Sequence, residues 1–106
     1  MVMPTYVLMT KLARDTLAGA GGRAQTGREW KKQVEKACPQ IRWIAHYALL
    51  GPYDFMDIYE APDADTAFKV SLLSRERGAV SAESWPALEY PAFLPLAEAI
   101  EGQLRE

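Results

Sequence analysis

The stretch IRWIAHYALLGPYDFMDIYE, residues 41–60, decides the fold. Ile41 to Leu50 is rich in β-branched and aromatic side chains and reads as a strand, with Ile41, Trp43, Ala45, Tyr47 and Leu49 pointing one way and Arg42, Ile44, His46 and Ala48 the other. Gly51-Pro52-Tyr53-Asp54 reads as a turn, and Phe55 to Glu60 as a second strand. So short a connection permits only an antiparallel hairpin, because a parallel crossover needs about a dozen residues or more. In the turn, Gly51 is assigned a positive φ or a close backbone approach, and Pro52 a preset dihedral. Asp54 is expected to accept backbone N–H groups, and Tyr53 to offer a large ring with a polar tip.

Upstream, Thr5 to Leu12 follows Pro4 and is apolar on both faces, Val7 and Met9 on one, Tyr6, Leu8 and Leu12 on the other; a strand covered on two sides reads this way. Gly19 to Gly22 is a loose stretch, and Thr26-Gly27-Arg28-Glu29 spells a capping box that predicts a helix to about Ala37. Trp30, Val34, Ala37 and Cys38 form its apolar stripe, and Pro39 closes it. Downstream, Asp63 caps a second helix, Gly78 suits the position just past its end, and Ala79 to Trp85 fits a fourth strand, with Pro86 marking its end or an edge position. The order strand, helix, strand, strand, helix, strand is that of an α+β, ferredoxin-like βαββαβ domain: a four-stranded antiparallel sheet with two helices on one face. Leu94 to Arg105 adds a C-terminal helix with Pro95 in its first turn, so the chain divides into residues 1–90 and an extension, 91–106.

Both strand faces of this sheet carry apolar side chains, and helices cover only one of them. An apolar sheet face left bare marks an association site, which predicts a homodimer through that open face, with the tail helix folding back over the sheet as the rival cover.

Gly51-Pro52-Tyr53-Asp54-Phe55, followed by Glu60-Ala61-Pro62-Asp63, resembles the GYD-domain family of small bacterial and archaeal proteins over roughly residues 3 to 90. The resemblance implies a ferredoxin-like subunit in the dimeric α+β-barrel style, and it implies no reaction. The glycine-rich insert, the extension beyond Tyr90 and Leu49, where a small polar residue is more usual, depart from that pattern.

The candidate proton-transfer residues are His46, Tyr53 and Asp54: histidine is the side-chain type whose unperturbed pKa lies near neutrality, and the phenol and carboxylate would edge a cavity between sheet and helices. Tyr6, Trp43, Tyr47, Tyr53 and Trp85 are the aromatic candidates for lining such a cavity. The bland readings stand beside them: Tyr53 and Asp54 locking a hairpin, His46 bonded at a sheet interface, tryptophans filling core. Cys38 lies at the wrong end of a helix for a reactive thiolate and reads as buried filler. Gly19 to Ala24 nominally fits a dinucleotide fingerprint, but the strand ends too early, so it reads as a loop that could serve as a lid. Arg28, Lys31, Lys32 and Lys36, offset by Glu29 and Glu35, read as a solvated face.

The chain has 106 residues, one domain's worth, and a net charge of −2, which argues against a nucleic-acid partner. One cysteine makes no internal disulfide, one histidine makes no metal cluster, and no apolar run approaches the ~20 residues that cross a bilayer. The expectation is a cytoplasmic protein with no cofactor, no metal and no membrane partner. The leading functional reading is a homodimer that binds a small, largely apolar organic ligand in the sheet-helix cavity. Its rivals are a cofactor-independent monooxygenase- or isomerase-like enzyme using His46, Tyr53 and Asp54, and a structural or regulatory assembly module.

Overall fold

The computed structural model describes residues 3–13 and 22–105, with only the backbone described at 22 and 23. Its elements are β1 (Thr5–Leu12), α1 (Gly22–Ala37), β2 (Arg42–Ala48), β3 (Phe55–Glu60), α2 (Ala64–Glu76), β4 (Ala79–Ala87) and α3 (Tyr90–Arg105). The four strands form one sheet in the order β2-β3-β1-β4, with every pairing antiparallel, which is the ferredoxin-like arrangement. Pro86 lies in β4 at the sheet edge, where a missing N–H costs no ladder bond.

Residues directly opposite on neighbouring strands share a face. Tyr6 pairs with Tyr59 and Leu8 with Asp57, all four are buried, and Val34 of α1 and Val70 of α2 pack on that side without exposure. Asp63 begins α2 as expected: its carboxylate accepts the Thr66 N–H at 2.8 Å and the Thr66 hydroxyl at 2.7 Å, which holds the acid below the usual carboxylate range. Gly78, with φ 108°, ends that helix in a conformation that side chains avoid.

Several expectations need correction. Gly51 has no positive φ, and a Cβ there would meet nothing within 4 Å, so the turn requires neither property assigned to it. Helix α1 starts at Gly22, a turn before Thr26; good helix formers such as Ala24 and Gln25 extend it, and Glu29 accepts from the Gln25 side chain at 2.9 Å instead of closing a capping box. The glycine-rich loop and its lid role fall on residues 19–21, outside the described residues, while Gly22 opens α1.

A further correction concerns β2. Trp43 pairs with Tyr59, yet Ala45 pairs with Ile58, so Ile44 is an extra residue in a bulge. The strict alternation from Ile41 to Leu49 therefore breaks, and Trp43 and His46 face the helices while Ala45 and Tyr47 face away. Helix α3, for its part, begins at Tyr90, a turn earlier than read from the sequence, with the Glu89 carbonyl accepting from Ala92 and Phe93 at 2.9 and 3.2 Å. Pro95 thus falls in its second turn and removes one helical hydrogen bond. None of its residues is buried, so the tail does not cover the sheet.

Candidate functional site

The bulge at Ile44 builds the site. In an unbroken register His46 would stand opposite Met56 on the open face; the extra residue brings it opposite Asp57 on the helix side. There His46 Nδ1 bonds Asp57 Oδ1. The Asp57 side chain is 1% exposed, whereas that of His46 is 56% exposed, so the pair joins the interior to solvent. Burial pushes the Asp57 carboxyl above the ordinary carboxylate range, opposed by the charge and hydrogen bond of His46 and by the charge of Lys31.

These groups border a cavity of about 590 Å³ between α1 and the sheet. That volume lies within the range of small-molecule sites. Trp30 of α1, Trp43 of β2 and Phe55 of β3 give it an aromatic wall, and Lys31, His46 and Asp57 its polar side. The wall is held from behind: Trp30 and Trp43 have ring centroids 5.3 Å apart, Trp43 and Tyr59 5.7 Å, and Tyr59 stacks on Tyr6 at 5.6 Å. Trp30 Nε1 donates to Ser74 Oγ at 2.7 Å, tying α1 to α2. The Tyr59 hydroxyl meets Ser84 Oγ at 2.7 Å, and burial pushes the phenol up to about 12. Among the described residues, Trp43 Nε1 is the side-chain polar atom that is buried without a hydrogen-bond partner. Such a cavity can hold a flat apolar body and meet one polar group of it with an imidazole backed by a carboxylate.

Of the residues singled out in the sequence, His46 and Trp43 line this cavity. Tyr6 supports it as the last ring of the aromatic row, and Tyr47, 53% exposed, faces away from the helices. Tyr53 and Trp85 meet edge to face with centroids 6.3 Å apart, and both reach Glu83, the indole N–H at 2.9 Å and the phenol at 3.4 Å. Asp54 grips β1: its Oδ2 accepts the Leu12 N–H at 2.7 Å, and its own N–H donates to the Thr10 carbonyl at 2.8 Å. The structure thus separates His46 from Tyr53 and Asp54, which do not line the cavity. The partner that sequence reading missed is Asp57. Its signal was an acid amid the apolar strand FMDIYE, in step with Phe55 and Tyr59, but pairing it with His46 requires the bulge, which no turn residue announces. Cys38 is buried, and that burial raises its thiol pKa.

The open sheet face presents Val7, Met9, Met56 and Ile58 on its central strands, with Tyr47 and Trp85 toward the sides. An Arg42–Glu60 pair at 3.5 Å and Glu83 stand on the same face. No helix among the described residues is long and apolar enough to cross a membrane.

A family model described as the GYD domain matches residues 6–96. The chain is also similar to a Thermus thermophilus protein named "Glutamine synthetase and cystathionine beta-lyase binding protein", 31% identical over 86 residues that cover 81% of this chain and 90% of that protein. No solved structure gives a significant match.

Proposed function

This chain belongs to the GYD-domain family, and from that premise we propose that it is a binding protein whose cavity under α1 holds a small, largely apolar organic molecule. The observation that carries this reading is the 590 Å³ cavity itself, with an aromatic wall on one side and the His46–Asp57 pair on the other. The second part of the proposal is a homodimer through the open sheet face. It is supported by the apolar run Val7, Met9, Met56 and Ile58, which a two-fold partner would cover with its own copy of the same residues.

Native mass spectrometry of the full chain taken from its own cells tests the ligand. The expected result is a small-molecule adduct on each chain that is absent from Gly27→Leu, since Gly27 borders the cavity and has open space where its side chain would grow. A wild-type spectrum free of adduct, from protein whose cavity also rejects small apolar probes, overturns the reading.

The name of the Thermus relative favours a second reading, in which this chain docks onto enzymes. Helix α3 offers the means, because Phe93, Leu96, Ile100 and Leu104 fall on one side of it and are exposed. Co-sedimentation with purified glutamine synthetase or cystathionine beta-lyase, lost on removal of residues 90–106, is the result expected on that reading; no complex with either enzyme removes its support.

A further inference from the structure

We infer that the molecule held in this cavity is an organic anion, an aromatic or aliphatic acid whose carboxylate lies on the Lys31 side. The inference rests on the ligand-binding reading above and adds the ligand's charge class.

Charge is the first ground. The described lining carries Arg28 and Lys31 from α1 and Arg77 from the end of α2, against one carboxylate, Asp57, which His46 already engages. This cationic surplus opposes the chain as a whole, whose net charge is −2, so it is a property of the place and not of the composition. Arg77 sits at the negative end of its own helix and offsets it in part. Arg28 has no such duty, since it lies in the N-terminal half of α1, and Lys31 lies just past the middle of that helix, more than a turn from its negative end; the early residues Ala24, Thr26 and Gly27 border the same space.

Donors are the second ground. Trp43 Nε1–H is itself enclosed, so the donors open to a ligand are those of the lining cations. His46 commits Nδ1 to Asp57, which leaves Nε2 for a ligand, and in the charged ring that nitrogen donates too. Lysine and arginine give protons to hydrogen bonds and accept none. A ligand that answers all of them brings oxygen acceptors and negative charge, and the aromatic wall asks that the rest of it be apolar.

Isothermal titration of the full-length protein with 1-naphthoate and, separately, with 1-naphthalenemethanol isolates the charge, because the two share a ring system and differ in the carboxylate. At pH 7 and low salt the acid is expected to bind roughly tenfold or more tightly than the alcohol, as charge-assisted hydrogen bonds are about twice as strong as neutral ones. Lys31→Gln should erase most of that preference while leaving the alcohol's affinity in place, and Arg105→Gln, a cation on α3, should leave the preference intact. Equal affinity for the two probes, or a preference that Lys31→Gln does not change, overturns the anion inference while the cavity remains a ligand site. Failure of both probes to bind overturns the ligand reading with it.

Discussion

At residue scale, Asp54 and Asp57 show how differently one side chain can serve the same hairpin. Just before β3, the Asp54 carboxylate accepts the Leu12 N–H near the end of β1. Asp57 is enclosed, and its ionisation is disfavoured in the fold. Between the unfolded value, about 3.9, and its raised folded value, the native state holds a proton that the unfolded chain has released. Stability therefore falls as pH rises through that window, and the full penalty is present above it. Asp57→Asn removes the penalty and keeps an oxygen for His46. Its melting temperature is expected above the parent's at about pH 7 and level with it at about pH 3, a comparison that thermal denaturation makes directly. A lower melting temperature at neutral pH would show that the His46 contact outweighs burial. Gly51→Ala should be neutral or stabilise by about 0.5 kcal/mol, read from chemical denaturation, because the site has room and no positive φ while the unfolded chain loses freedom. The sequence marked Asp54 as a bond acceptor and His46 as a candidate for proton transfer. It could not mark Asp57, whose chemistry depends on a cross-strand neighbour.

Among the elements, the strands and α2 were legible because their signals are local: alternation, Pro86 at an edge, Asp63 and Gly78 at helix ends. The bulge in β2 was not, since an extra residue leaves composition and turn signals untouched and shows only in pairing. The start of α1 was misread for a related reason: a capping box is one way to satisfy a helix end, and it yields where helix formers continue upstream. Deleting Ile44 is expected to restore an even register that keeps Ala45 opposite Ile58 and His46 opposite Asp57, because the residue removed is the unpaired one. Histidine NMR signals should still report the carboxylate neighbour, and cavity probes should still bind. Loss of the His46–Asp57 contact in that variant would mean that β2 has slipped by one residue against β3.

For the whole molecule, the two uncovered apolar surfaces lie on different parts of the chain, the open sheet face and α3. Sedimentation equilibrium at micromolar concentration is expected to give twice the 11.8 kDa of one chain, and Met9→Lys, in the middle of the open face, to return it to a single chain without loss of circular-dichroism signal. A wild-type monomer at that concentration removes the dimer. The radius of gyration is 16.4 Å, against about 13 Å for a compact chain of this length, and the extents are 60 × 30 × 19 Å. A body so drawn out suffers more friction than a sphere of equal weight. It migrates through a sizing matrix ahead of its mass, so elution position alone would make one copy resemble two. It also tumbles unequally about its long and short axes, and amide relaxation rates will depend on how each bond lies relative to that length.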